Sequence, residues 1–486
     1  MTKRLALNDD NRRWWTLAAM CFALFMIMLD NTVVNVALPS IKEDLGASYT
    51  TLAWTVSAYT LSLGVLLITG GRLGDIYGRR RVFLVGVVAF AASSFFIGFS
   101  QSEAWLIGGR AIQGVGAALM MPATLSVITN TFPPQERGKA LGTWAGVSAL
   151  ALAIGPVVGG WLVEYVSWQS IFFLNVPVAA GALAITLFST CESRDETVLP
   201  KLDLAGIAAI TVGLGALTLA LLEAPTWGWG SPANVGLFVL AAAGLASFAA
   251  IERRVRVPMI DFAFFRSRTF LGASLVAFIV SFAMLAMFFF IAIYLQTIEG
   301  YSPLEAGIRF LPTTLMIIVI SPLSGRLADR IGPRSLMTGG LLLVAVSLFW
   351  QSFLSVGSGF AFLAPGFVLM GIGMGLIMSP MSTAAMNAVD RTKAGVAGGV
   401  LSTSRMIGGT LGIAMLGAFI GNLSHPEAYV GSLGHGLLVG AVVAAVGALV
   451  AWTLVSPHAA GATGTPPPAG ETIVPPAEGA RETVRA

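Results

Sequence analysis

The chain has 486 residues, of which 56% are hydrophobic and 11% charged, and its mean hydropathy is +0.82. A soluble domain carries roughly 25% charged residues, so this composition excludes a water-soluble globular protein and puts nearly all of the chain in lipid. The net charge of +4 would suit a nucleic-acid binder, but the basic residues cluster between apolar runs and form no single face, which fits the bias of Lys and Arg toward cytoplasmic loops.

The basic N-terminus, with Lys3, Arg4, Arg12 and Arg13, leads into an apolar run over 14–38. That run is too long for a signal peptide's h-region of about 7–15 residues, and Asp30 interrupts it, so a first spanning helix is expected. Roughly twenty apolar residues cross a hydrocarbon core of about 30 Å. With that ruler, about fourteen spans are expected. The first six lie near 14–38, 52–71, 82–100, 104–127, 140–163 and 169–190. Two more lie near 203–222 and 233–251, and the last six near 269–296, 303–325, 335–356, 360–386, 396–421 and 432–456. Loops after even-numbered spans hold Arg79, Arg80, Arg81, Arg137, Lys139, Arg194, Lys201, Arg253, Arg254, Arg330, Arg334, Arg391 and Lys393, whereas loops after odd ones hold Lys42 and otherwise acids. The asymmetry predicts that both termini are cytoplasmic.

The segment Gly71-Arg72-Leu73-Gly74-Asp75-Ile76-Tyr77-Gly78-Arg79-Arg80-Arg81 recurs as Gly325-Arg326-Leu327-Ala328-Asp329-Arg330-Ile331-Gly332-Pro333-Arg334, offset by 329 − 75 = 254 positions. Gly114, Gly116 and Pro122 are answered by Gly371, Gly373 and Pro380, and Glu136 to Ala140 by Asp390 to Ala394. Such duplication predicts two similar six-helix bundles, 14–190 and 269–456, that rock against each other, the architecture of a transporter. The expected organisation is completed by a cytoplasmic N-terminus (1–13), a linker holding two inserted helices (191–268) and a disordered cytoplasmic tail (457–486) rich in Pro, Gly, Ala and Thr.

Catalytic and cofactor chemistry has little support. Cys21 and Cys191 stand in an apolar run and an expected cytoplasmic loop, which disfavours a disulfide. His425, His435 and His458 are too scattered for a metal site, and no Gly-x4-Gly-Lys-Ser/Thr phosphate loop occurs. No metal, cofactor or nucleic-acid partner is expected.

Four motifs carry a family resemblance that covers most of the chain. They are Leu29-Asp30-Asn31-Thr32-Val33-Val34-Asn35-Val36-Ala37-Leu38-Pro39, the Gly71–Arg81 hinge, Arg110-Ala111-Ile112-Gln113-Gly114-Val115-Gly116, and Gly155-Pro156-Val157-Val158-Gly159-Gly160. Together they resemble the major facilitator superfamily, and specifically its fourteen-span drug:proton antiporter branch. The resemblance implies an all-α integral membrane fold of two pseudo-symmetric six-helix bundles plus two inserted helices. It also implies export. Ala151 stands where the family often has a glycine before the Gly-Pro pair, and no acid lies deep in the last six expected spans, which disfavours strongly dicationic cargo.

Several residues stand out against this apolar background. Asp30 lies about sixteen residues past Trp14, roughly 24 Å into the first span. A carboxylate at that depth costs several kcal/mol unless paired or protonated, which makes Asp30 a candidate proton site. Arg110, about six residues into the fourth span from the opposite side, is expected at similar depth as its partner; alternatively it ties backbone carbonyls together. Asn31 and Asn35 share a helix face and, with Gln113, are candidates for a substrate cavity or for interhelical hydrogen bonding; Arg405, about nine residues into the thirteenth span, is expected to face either Asp75 or that cavity. Gly71, Asp75, Gly78, Arg79 and Arg80, with Gly325, Asp329, Gly332 and Arg334, are read as gating hinges. Gly155, Pro156, Gly159 and Gly160 let the fifth span bend and pack closely. Arg309, near the outer end of the tenth span, is expected to snorkel.

These residues predict a monomeric secondary transporter that exports amphipathic or hydrophobic small molecules such as antibiotics in exchange for protons across the cell membrane. A dedicated exporter of one natural product, a siderophore or a lipid is the alternative on the same fold. A membrane-embedded enzyme or a transport-dead receptor lacks residues to support it.

Overall fold

In a computed structural model, which describes residues 9–194, 203–255, 258, 260, 262–389, 394–419 and 426–457, the chain is helical throughout those segments. The expected disordered tail lies outside the described residues, except for Pro457. So do Lys3, Arg4, Lys201 and the 390–393 part of the second repeat.

The first half comprises α1 (Asp9–Leu45), α2 (Tyr49–Tyr77), α3 (Arg79–Ile97), α4 (Glu103–Thr131), α5 (Pro134–Tyr165), α6 (Ser170–Phe173) and α7 (Asn175–Ser189). A hairpin of α8 (Leu204–Trp227) and α9 (Pro232–Glu252) follows. The second half comprises α10 (Arg268–Ile293), continued by a π-helical turn at Tyr294–Ile298, then α11 (Pro303–Arg309), α12 (Leu311–Ile331), α13 (Pro333–Gln351), α14 (Gly359–Asn387), α15 (Ala394–Gly417) and α16 (Pro426–Leu454). Serine starts many of these helices. Ser48, Ser102, Ser231, Ser267 and Ser302 each accept a backbone N–H from the first turn, satisfying a donor that would otherwise be orphaned at the membrane edge.

Twelve helical segments among the described residues are long and apolar enough to cross a membrane, or thirteen if the bent α5 counts as one span. The remaining expected span, 396–421, is α15. It is helical, but seven glycines, Arg405 and a run of Ser and Thr dilute its apolar character, and it is not among the twelve. The sixth expected span comprises α6 and α7, which run on through Leu174 in helical conformation, and the tenth comprises α11 and α12, which run on through Phe310 in the same way.

The expected hinge loop is almost entirely helical. α2 runs through Asp75 to Tyr77 and α3 starts at Arg79, so Gly78 alone turns the chain, at φ +108. Gly332 does the same between α12 and α13 at φ +81. Both conformations lie where an L side chain is strained. The side of the molecule carrying these turns is termed the hinge side below, and the opposite side the far side.

Packing repeats the duplication. In the first half α4 is gripped by α2 and α3 while α1 lies on α5 and α7; in the second, α14 is gripped by α12 and α13 while α10 lies on α15 and α16. The glycines make this possible at backbone distance. A Cβ on Gly114 would stand 2.4 Å from the Tyr59 carbonyl of α2, and one on Gly116 2.9 Å from the Gly86 carbonyl of α3. Their counterparts Gly371 and Gly373 meet the Thr313 carbonyl of α12 at 2.3 Å and the Gly340 carbonyl of α13 at 2.6 Å.

The bundles meet along two seams, α2 with α15 and α5 with α11. At the first, Thr60 and Thr410 hydroxyls share a hydrogen bond of 2.7 Å. At the second, a Cβ on Gly307 would be 2.1 Å from the Pro156 carbonyl, and one on Gly160 2.5 Å from the Pro303 carbonyl. Glu164 at the end of α5 accepts from Leu304 N–H at 3.1 Å, and Gln296 of the π-turn donates to the Val36 carbonyl of α1 at 2.9 Å. The far side is therefore closed by direct backbone contact between bundles. α8 lies against both α2 and α15, with Ile210 and Leu214 packed on Leu61 and Val65.

Candidate functional site

The site is built around Asp30, which α1 carries into the middle of the first bundle. Asp30 and Arg110 are each 1% exposed. Arg110 Nη1 donates to Asp30 Oδ2 at 2.5 Å and to Gln113 Oε1 at 2.6 Å, and Nε donates to the Thr55 carbonyl of α2 at 2.8 Å. Gln113, one turn along α4 from Arg110 and therefore on the same face, donates through Nε2 to Asp30 Oδ1 at 2.8 Å and to Ser94 Oγ of α3 at 2.7 Å. Asn175, the first residue of α7, donates to Asp30 Oδ1 at 3.1 Å and to Ser94 Oγ at 3.3 Å.

The carboxylate thus collects three donors from α4 and α7. The guanidinium above it lies 4.3 Å from the Tyr59 ring centroid, adding attraction from the ring's π face. Charges this buried are tolerated only when paired and hydrogen-bonded, and this cluster meets both conditions. Chemically, the cluster ties α1, α2, α3, α4 and α7 together through one buried carboxylate and one buried guanidinium.

Sequence reasoning paired Asp30 with Arg110. It did not anticipate Ser94, Asn175, Thr55 or Tyr59. Ser94 and Asn175 are polar residues inside apolar runs, which was the available signal; Asn175 was hidden because the run over 169–190 reads as one uninterrupted span. Gln113 lies with Asp30 and not beside Asn31 and Asn35. Those two occupy another face of α1, where Asn35 Nδ2 donates to the Asn31 carbonyl at 3.4 Å and both Oδ1 atoms are buried without a partner. Arg405 is half-buried on α15, and its Nε is buried and unpartnered.

At the hinge, Asp75 Oδ1 accepts from Arg79 Nε and Nη2 at 3.0 and 2.8 Å, one helical turn away. Glu192, just past α7, accepts from the backbone N–H groups of Arg80 and Arg81 at 3.0 and 3.2 Å and so caps α3. Arg80 Nη2 donates to the Leu187 carbonyl at 2.9 Å. Glu192 was not foreseen, although an acid amid basic loop residues was a visible signal. Gly71 is in van der Waals contact with Pro122 of α4, a Cβ there standing 3.4 Å from it. In the second hinge Gly325 meets Ser379 of α14, and the Arg334 guanidinium lies 4.0 Å from the Trp452 ring centroid. The side chain of Asp329 lies outside the described residues.

On α5, Gly155 and Gly159 face Thr32 and Val33 of α1, while Pro156 and Gly160 face α11. The helix bends by 40° between Gly146–Leu152 and Ile154–Tyr165. Leu152 is the residue whose carbonyl Pro156 crowds. Arg309 lies over the Tyr301 ring at 3.5 Å and donates to the Glu305 carbonyl at 2.9 Å.

Comparison with known proteins gives a consistent picture. The Major Facilitator Superfamily profile matches residues 20–413. The chain is 38% identical to the tetracenomycin C resistance and export protein of Streptomyces glaucescens over 84% of this chain and 76% of that one. It is also 38% identical to the puromycin resistance protein pur8 of Streptomyces alboniger, over 92% of each. The multidrug resistance protein Stp of Mycobacterium tuberculosis is 36% identical over 83% of this chain and 75% of its own length. Among solved structures, the peptide transporter POT in complex with sulfate superimposes with a TM-score of 0.66 at 17% identity, covering 90% of this chain and 95% of that one; at that identity the likeness concerns the fold.

Proposed function

The chain belongs to the Major Facilitator Superfamily and is a transporter, not an enzyme, and from that premise we propose that it exports amphipathic small molecules such as antibiotics in exchange for protons. The observation that carries the reading is the enclosed Asp30–Arg110 pair with its Gln113 and Asn175 donors. A proton arriving at Asp30 weakens the pair, and cargo release and reorientation follow from the altered balance between helices. Asn31, Asn35 and Arg405 contribute polar groups to a cargo cavity between the bundles. Asp75 and the arginines around both hinge glycines govern opening on the hinge side, and the glycine-lined α5 governs closure on the far side.

The charge bias of the loops supports a cytoplasmic hinge side with both termini inside, in the cell membrane. Residues 14–190 and 269–456 then act as rocking bundles, and 191–268 supplies the hairpin between them. A monomer suffices, because both bundles lie within one chain. The decisive experiment is dye accumulation in cells expressing the wild type or Asp30→Asn, with and without a proton uncoupler. Wild-type cells should exclude Nile red, a neutral amphipathic dye, until the uncoupler is added, and Asp30→Asn cells should accumulate it throughout. Uncoupler-insensitive exclusion by the wild type, or unaltered exclusion by Asp30→Asn, would reject the reading.

A narrower reading, a dedicated exporter of one natural product, is favoured by relatives that are named for single antibiotics. A resistance panel decides between them: protection confined to one compound class supports it, and protection across unrelated classes removes it.

A further inference from the structure

Two contact stripes fix how α15 sits. Met406 and Thr410 meet α2, at Gly64 and Thr60, while Gly408 and Gly412 meet the backbone of α10 at Phe278 and Phe282. Ile407, on a third side, packs into the cluster formed with α8. At 3.6 residues per turn, Arg405 falls on the arc between the α2 and α10 stripes, opposite Ile407. That arc points away from the inserted hairpin, and on it Gly409 meets the Leu285 side chain of α10 and Gly398 the Met386 side chain of α14.

Arg405 is also alone. Its Nε is buried without a partner, and no hydrogen bond or ion pair joins it to any described residue. The membrane interior offers few acids to neutralise it. Asp30 is already committed to Arg110. Glu223 belongs to α8, and among the described residues of the second half Glu299, Glu305, Asp329 and Glu427 stand at or near helix ends. The contacts 278–408 and 282–412 share one offset, 408 − 278 = 412 − 282 = 130, so Ser274 of α10 lies level with Ser404, beside Arg405 in height. The Ser274 hydroxyl is likewise buried and unpartnered. A cation and a hydroxyl, both without protein partners, stand at one level on adjacent helices.

We propose that Arg405 is the point at which the protein recognises its cargo, and that the preferred cargo is an amphipath bearing one anionic oxygen, a carboxylate or an acidic enolate. This rests on the export reading and adds the cargo's charge to it. A planar guanidinium fork matches such oxygens, and a desolvated charge pair gains more than a solvated one. The charge balance follows: one anion leaving while one proton enters moves two positive charge equivalents inward per cycle, against one for neutral cargo.

The test uses the purified full chain without any gradient, so it is independent of proton coupling, which stands or falls on the dye assay. The probes are 2-hydroxy-1,4-naphthoquinone, ionised as its enolate at neutral pH, and its O-methyl ether, neutral and nearly isosteric. The wild type should bind the enolate at least about tenfold more tightly than the ether. Arg405→Met should abolish the preference, weakening enolate binding at least about tenfold relative to the ether, and it should raise the ligand-free melting temperature, because an unpaired, half-buried cation has been removed. A merely structural arginine would lower that temperature instead. Arg405→Gln serves as a second variant if the first does not fold, with the same expected loss of preference. Equal binding of both probes by the wild type, or a preference that survives either variant, overturns the proposal. Competition by chloride or phosphate would make Arg405 an inorganic-anion site and overturn the assignment of cargo.

Discussion

Arg110 Nη1 stands 2.5 Å from Asp30 Oδ2, joining α4 to α1 across 80 positions of sequence. Among the described residues, the second bundle has no equivalent. With Gly114 and Gly116 answered by Gly371 and Gly373, the counterparts of Arg110 and Gln113 are Phe367 and Met370, both fully buried. Phe367 stacks near Phe310, ring centroids 5.4 Å apart, and Phe310 in turn lies 4.8 Å from Phe288. The same helical frame therefore holds a charged network in one half and an aromatic one in the other.

If the pair is structural as well as functional, removing one partner should cost more than removing both. Arg110→Ala leaves a buried carboxylate, and the expected destabilisation is about 3–5 kcal/mol. Adding Asp30→Asn should recover part of that loss. Thermal unfolding of the two single variants and the double variant in detergent measures the coupling; strictly additive losses would mean that the residues do not depend on each other.

Asn175 reaches Asp30 from a helix that no motif marked. Asn175→Ala removes one of the three donors to a buried carboxylate and one of the two to Ser94, and should cost about 1.5–3 kcal/mol of stability. Thermal unfolding in detergent reads the loss. An unchanged melting temperature would mean that Asn175 contributes nothing to the cluster.

The two turning glycines should differ in their sensitivity. Gly78→Ala meets both a strained φ of +108 and the Glu192 carboxylate, 2.6 Å from where the Cβ would stand. Gly332→Ala meets the strained φ of +81. Each should lose about 1–2 kcal/mol from backbone strain, and Gly78→Ala more. Melting temperatures of the two variants check the order, and restoring Gly78→Ala by Glu192→Ala would implicate the cap.

Closure of the far side should be blocked by bulk at Gly307, because a Cβ there would meet the Pro156 carbonyl at 2.1 Å. Gly307→Val is expected to slow turnover severely while leaving binding of cargo to detergent-solubilised protein within about twofold. Comparable losses in binding and turnover would point to general misfolding.

Much of this was readable in the residues. The repeat of Gly, Asp and Gly at one offset declared two bundles, and scarcity alone singled out Asp30 and Arg110, since few charges lie between apolar runs. Less was readable where a property belongs to the assembly. Asn175 and Ser94 resemble ordinary polar residues of apolar helices until α3 and α7 bring them beside one carboxylate. Glu192 becomes a cap only when the segment after α7 folds back on α3. The hinge was expected as a loop, yet one glycine at positive φ is enough to turn the chain.

The alternation along α5 has a mechanical consequence. Thr32 and Val33, two and three positions beyond Asp30, press on Gly155 and Gly159, and the intervening Pro156 and Gly160 press on the opposing α11. These touches are made at main-chain separation, with no long side chain to absorb a displacement. A displacement of α1 would therefore be felt by the partner half along two routes, directly where Gln296 holds the Val36 carbonyl and through the thickness of α5.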